Sequence, residues 1–204
     1  MRGLALLRRL QFALWCTGLL LCALCAGAYL QARFYQSMEN RRLEEALHSG
    51  GLRDPARPPS PLPRPAGSLV GRLEIPRLRL SAVVLEGSDE RTLRLGAGRI
   101  PETAAPGQAG NLVIGGHRDT FFRPLRAIHG GDRISLVTPG GAYRYIVEWT
   151  AVVNPSDRET LRPTPDRSLT LVTCYPFRYL GPAPQRFIVR ARQVAPDATK
   201  TVSF

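Results

Sequence analysis

Residues 168–177 read Ser-Leu-Thr-Leu-Val-Thr-Cys-Tyr-Pro-Phe, or SLTLVTCYPF. Leu169, Leu171 and Thr173 alternate with Thr170, Val172 and Cys174, the two-residue period of a β-strand. Apolar residues occur on both faces, so the strand is expected to be covered on both sides. Pro176 cannot continue a ladder and ends the run. Cys174 is therefore placed at a strand end, with a rigid element behind it and open space in front.

The same character extends in both directions along the chain. Val70 to Ile75, Arg79 to Leu85, Asn111 to Gly116, Arg133 to Val137, Ala142 to Val153 and Arg186 to Val194 also read as strands. Tyr143, Tyr145, Val147, Trp149 and Ala151 alternate with Arg144, Glu148 and Thr150, as in a half-buried strand. Pro76, Pro101, Gly130-Gly131 and Gly140-Gly141 separate the runs. Helical signals are short: Ser88 to Leu95, capped by Ser88 and stopped by Gly96, and Thr120 to Ala127. Many short strands with turns between them predict an all-β domain, a closed or sandwiched antiparallel sheet.

The N-terminal part is different. Leu10 to Ala32 is a run of 23 residues without a charge, flanked by Arg8, Arg9 and Arg33. As a helix it rises about 34 Å, enough to cross a bilayer core of about 30 Å. Ala26-Gly27-Ala28 offers a cleavage site for a signal peptide, but the run is long for one, which favours an uncleaved anchor. Trp15, Leu21 and Leu24 precede Cys16, Cys22 and Cys25, which excludes a lipoprotein signal. Arg2, Arg8 and Arg9 precede the span, while Glu39, Glu44 and Glu45 offset Arg33, Arg41 and Arg42 after it. The short N-terminus is thus expected in the cytoplasm and the rest outside. Gln36 to Leu47 reads as a short polar helix leaving the membrane. The proline-rich run Gly50 to Gly67 reads as a semi-rigid spacer that holds a domain away from it. The expected organisation is a cytoplasmic N-terminus (1–9), a transmembrane anchor (10–32), a juxtamembrane helix and linker (33–67), a catalytic domain (68–195) and a C-terminal tail (196–204).

The formal net charge is +12. From Gly67 onward there are 19 basic and 12 acidic residues, spread along strands and loops. No basic run interleaves with aromatics, which argues against nucleic-acid binding. An anionic membrane or cell-wall polymer suits the charge equally well.

Three of the four cysteines lie in the apolar run, so the exterior part holds Cys174 alone and has no internal disulfide. An unpaired thiol outside the cell is expected to be either buried or used. His117 ends the apolar run NLVIGGH, where Gly115 and Gly116 allow close backbone approach. A satisfied structural histidine is the alternative reading. In QRFIVRARQ, Phe187, Val189 and Ala191 share a core-like face. Arg186, Ile188, Arg190 and Arg192 share the other, with Arg190 and Arg192 expected in solvent. Arg186 sits at the strand's entry, within reach of Cys174. Asp119 is a candidate to orient the His117 ring, while Thr170 and Thr173 are expected to shape the strand. Asp157, Glu159 and Asp166 lie among Arg158, Arg162 and Arg167, which argues against a tight calcium site. No Cys/His spacing suggests zinc, and no metal or other cofactor is expected.

TLVTC (Thr170 to Cys174) resembles the TLxTC signature of sortases, with GGHRDTFF supplying a histidine and RFIVR an arginine. LEIPRL (Leu73 to Leu78) and the segment Gly110 to His117 are similar as well. The resemblance covers Leu69 to about Val194, and the HRDTFF and CYPF flanks are most similar to class D, with class E open. It implies an eight-stranded β-barrel carrying a cysteine transpeptidase. Such an enzyme cleaves an LPxTG-like sorting signal between Thr and Gly and passes the acyl group to an amine of the cell wall or of a pilin. On the matching positions, Cys174 would be the nucleophile, His117 the general acid/base and Arg186 the oxyanion or substrate-positioning cation. Two other readings compete: an exported Cys/His acyl transferase of the L,D-transpeptidase kind, and a β-barrel that only binds.

Overall fold

The computed structural model describes residues 2–49 and 65–194. The proline-rich linker and the tail from 196 onward fall outside the described residues, apart from Pro65, Ala66 and Gly67 at the linker's end. Eight strands close into a barrel: β1 (Leu69–Ile75), β2 (Leu80–Glu86), β3 (Ala97–Arg99), β4 (Gly110–Gly115), β5 (Arg133–Thr138), β6 (Gly141–Val153), β7 (Arg167–Tyr175) and β8 (Gln185–Val194). Around the barrel the order is β1-β2-β3-β4-β7-β8-β6-β5.

The sheet is mixed rather than antiparallel. β2 pairs with β3, and β4 with β7, in parallel. A parallel neighbour needs a crossover between the strands. Between β2 and β3 that crossover holds the short helix α2 (Glu90–Leu95). Its N-cap is Asp89, not Ser88: the Asp89 carboxylate accepts from the Thr92 backbone N–H at 3.1 Å. In the second predicted helical stretch only a 3-10 segment forms, Arg123–Ala127.

Leu112 and Ile114, Leu169 and Leu171, and Val189 and Ala191 fill the interior from β4, β7 and β8. Their neighbours along each strand face outward, yet Val113 and Ile188 are fully buried too. The connection from β6 to β7 (154–166) is bonded to this outer face through Asn111 and Arg190. Asn111 donates to the carbonyls of Thr160 (3.3 Å) and Arg162 (3.2 Å), and accepts from the hydroxyls of Thr170 (2.6 Å) and Ser168 (3.3 Å). Arg190 donates to the Ser168 hydroxyl (3.0 Å) and the Thr160 carbonyl (2.7 Å), with its guanidinium over the Trp149 ring. The expectation of a solvated Arg190 is therefore corrected: it is 8 % exposed, and burial pushes its pKa down. Arg192 is exposed as expected.

The helical region before the barrel also departs from expectation. One continuous helix, α1, spans Arg2–Ser49 and includes the polar stretch predicted as a separate element. Part of it docks on the barrel instead of standing clear. The Gln36 amide donates to the Leu95 carbonyl (2.6 Å) and accepts from the Val83 backbone N–H (2.8 Å). Gly96 permits this approach, because a Cβ there would lie 2.6 Å from the Val83 carbonyl and 3.1 Å from Gln36 Nε2. Leu43 and Glu39 are buried, and Glu44 pairs with Arg72 of β1 at 3.3 Å. By contrast, the apolar half is long and apolar enough to cross a membrane, with mean hydropathy 1.9 over a stretch that is not buried at all.

Candidate active site

β4 and β7 end at the same rim of the barrel, where β8 begins. In the antiparallel β7–β8 ladder Cys174 stands directly opposite Arg186. Directly opposed residues project from the same face of a sheet, and alternation from Leu169 and Leu171 inside makes that the outer face. The parallel β4–β7 ladder closes with Gly115 opposite Val172, and two residues further along each chain lie His117 and Cys174. The three sequence-predicted residues thus share one end of three adjacent strands.

Each chain segment has a local reason for its course. Gly116 is needed because the Phe122 ring occupies the space where a side chain would go; a Cβ there would lie 2.8 Å from it. Phe122 and Leu125 are fully buried and belong to the core, so the connection after His117 closes the barrel mouth. The His117 carbonyl accepts from the Phe122 backbone N–H at 3.1 Å, which turns the chain inward. Beyond Cys174, Tyr175, Phe177 and Phe187 form a ring cluster with centroid separations of 5.2 to 6.3 Å. The cluster seals the same mouth between β7 and β8.

Two features of the site are chemically telling. Neither the Cys174 thiol nor the His117 ring makes a side-chain hydrogen bond to a described residue, although Cys174 is half-buried. Arg186 uses one nitrogen, Nη1, on the Ala183 (3.3 Å) and Gln185 (3.0 Å) carbonyls. No carboxylate among the described residues pairs with its charge. A thiol, an imidazole and a permanently charged guanidinium at one rim are the groups that nucleophilic chemistry and stabilisation of a developing anion require.

Other candidates fall elsewhere. The Asp119 carboxylate is exposed and lies against Arg118 at 3.6 Å. Thr173 donates to the Gly116 carbonyl (2.7 Å), and Thr170 is bonded to Asn111. Asp157 caps the 3-10 turn that follows it, accepting from the backbone N–H groups of Glu159 and Thr160. Among the described residues no three His, Cys, Asp or Glu side chains converge as a metal site would require. A cavity of about 830 Å³ opens around Trp149, Ser168 and Arg190. It lies near the other end of β7, about 20 Å from Cys174 at 3.3 Å per residue. Sequence reasoning passed over Arg118, which is 7 % exposed. Its guanidinium donates to the carbonyls of Pro176 (3.0 Å), Tyr179 (2.9 Å) and Gly181 (3.3 Å). The sole signal was its place beside His117.

Comparison with known proteins finds relatives over most of the barrel. The profile of the sortase domain matches residues 73–194. Sortase D of Bacillus subtilis is 31 % identical over 155 residues, which is 76 % of this chain and 78 % of that protein. The structure of a Clostridium perfringens sortase D5 transpeptidase superposes with a TM-score of 0.63 at 23 % identity, covering 81 % of this chain and 99 % of that one. A sortase E variant of Streptomyces avermitilis gives a TM-score of 0.55 at 30 % identity, over 65 % of this chain and 91 % of the other.

Proposed function

Because this chain belongs to the sortase family, we propose that it is a membrane-anchored cysteine transpeptidase whose catalytic groups are Cys174, His117 and Arg186. The observation that carries this reading is the register that sets Cys174 opposite Arg186, with His117 leaving the neighbouring strand at the same rim.

The substrate is an LPxTG-like sorting signal of a secreted protein. The Cys174 thiolate attacks the Thr carbonyl carbon, forming a C–S bond and a tetrahedral oxyanion. Arg186, with donors not committed elsewhere, steadies that oxyanion without exchanging protons. The C–N bond to Gly then breaks as the His117 imidazolium protonates the departing amine. The remaining thioester is attacked by an amine of a cell-wall peptide or a pilin. His117 takes the proton from that amine, the C–S bond breaks, and the thiolate is restored. No metal or other cofactor takes part in these steps.

The apolar half of α1 (10–32) is the anchor, with residues 1–9 in the cytoplasm and the catalytic domain, 68–195, outside. Its length and hydropathy support this, as does the net positive charge before it, since Glu39, Glu44 and Glu45 offset the arginines after it. The test uses the full chain in detergent, incubated with an LPxTG-type peptide and an amine, and followed by intact mass. The expected result is a thioester adduct on Cys174, absent in Cys174→Ala, together with amine-ligated peptide. A rapidly alkylated thiol that forms no adduct with any sorting peptide would require a different acyl donor, such as a peptidoglycan stem peptide. A slow thiol and no adduct would leave a barrel that only binds.

A further inference from the structure

We propose that Arg118 is a positioning residue that holds the histidine, cysteine and arginine of the site in register by fixing the β7–β8 connection. The problem it solves is visible in the site. Cys174 and His117 make no side-chain bond to each other or to any other described residue, so neither side chain sets their separation. Backbone ties must do so. Two lie before the pair: the Gly116 N–H donates to the Val172 carbonyl (3.1 Å) and the Thr173 hydroxyl to the Gly116 carbonyl (2.7 Å). The tie after the pair runs from Arg118 Nη1 to the Pro176 carbonyl at 3.0 Å. His117 and Cys174 are thereby bracketed on both sides.

The other nitrogen of the same guanidinium extends this control to Arg186. Nη2 donates to the carbonyls of Tyr179 (2.9 Å) and Gly181 (3.3 Å), and the guanidinium lies 5.8 Å from the centre of the Tyr179 ring. These residues belong to the loop that carries the chain from Cys174 to Arg186. A planar, two-pronged cation satisfies carbonyls on separate turns of a loop at once, whereas a lysine ammonium acts as a single point. Arg118 is nearly fully buried, and its three bonds tie the otherwise exposed stretch around Tyr179 and Gly181 down to the rim. The consequence for turnover rests on the transpeptidase reading; the geometric claim does not.

The experiment compares the full-length wild type with Arg118→Gln and Arg118→Lys in detergent, the lysine variant also serving if the glutamine variant fails to fold. Hydrogen exchange at the rim amides of the β7–β8 ladder, 173–175 and 185–187, is expected to quicken at least about tenfold, the equivalent of about 1.4 kcal/mol, while β1 and β5 are unchanged. Iodoacetamide alkylation of Cys174, measured from pH 5 to 9, is expected to follow a displaced pH profile in both variants, with lysine failing to restore it. With a sorting peptide, kcat should fall about tenfold or more and KM by less than about threefold, as expected when alignment of reacting groups is lost. Unchanged exchange at those rim amides, exchange that rises equally throughout the barrel, or superimposable alkylation profiles would each overturn the proposal. So would a raised KM at constant kcat, which would make Arg118 a substrate contact. Because exchange and alkylation need no substrate, a wild type that cleaves no sorting peptide would count against the transpeptidase reading alone.

Discussion

The two ends of β7 differ in how their polar side chains are used. At its start, Ser168 and Thr170 join Asn111 and Arg190 in a network that is bonded throughout and mostly buried. At its end, Cys174 has no side-chain bond to a described residue, and neither does the neighbouring His117. Six residues of one strand separate a region whose side chains are bonded to one another from one where Cys174 and His117 have no side-chain partner among the described residues. A committed network lowers the free energy of one structure and resists change. On the proposed reading, an uncommitted thiol on the rim it shares with Arg186 is held ready for a bond that forms only with substrate. The fold keeps a bonded network at one end of the strand and, on the proposed reading, the reacting groups at the other.

The strongest attempt to break that contrast is Cys174→Ala. It should abolish acyl transfer, by roughly a thousandfold or more, and leave the melting temperature almost unchanged; thioester detection by mass and a thermal scan read both. Asn111→Ala should do the reverse. It removes partners from two hydroxyls and two carbonyls and should cost about 3 kcal/mol of stability, seen in urea unfolding. Alkylation of Cys174 in the folded protein should keep its wild-type rate. Gly116→Ala tests the border between the two regions. Its Cβ would meet the buried Phe122 ring, so about 2 kcal/mol of overpacking is expected, together with a displaced His117 and slower turnover.

The smallest effect concerns Asp132, on the same rim as the site but across the barrel mouth. Hydrogen bonds from Arg77 hold its carboxyl below the ordinary value of 3.8, against the opposing effect of burial. The ionised form is therefore favoured by folding. Its contribution is present above about pH 4 and is lost as pH falls through the depressed native value. Asp132→Asn should be about 1 kcal/mol less stable than wild type at pH 5, and the gap should close towards pH 2. Denaturant titrations of both proteins at the two pH values measure it.

The sequence made the strands with long alternating runs plain, since a period of two in Tyr143 to Val147 or Leu169 to Cys174 is a local property. The expected continuation to Ala151 fails, because a bulge between Val147 and Trp149 turns Trp149 to the outer face opposite Arg190. What the sequence hid was non-local. β3 has three residues, too few for a period to show. The parallel pairing of β4 with β7 joins segments more than fifty residues apart, and no local pattern encodes it. Arg190 lies on the outer face, as alternation requires, but alternation does not reveal that the β6–β7 connection and Trp149 cover that face. The candidate site residues stood out because cysteine, histidine and arginine at strand ends are chemically conspicuous. Arg118 and Asn111 act by hydrogen bonds to backbone carbonyls far along the chain, which a sequence does not display.

The docking of Gln36 has a mechanical consequence. If α1 crosses a bilayer as proposed, Gln36 lies four residues beyond the apolar run, about 6 Å along the helix axis. The tether then has almost no slack, because its length is spent before the proline-rich segment begins. The barrel would be carried at a set altitude over the lipid headgroups, free to turn with the helix but not to rise from it. Encounters with acceptor and donor would be confined to a thin layer, a search in two dimensions in place of three, and residues 50–67 could change length without changing that altitude.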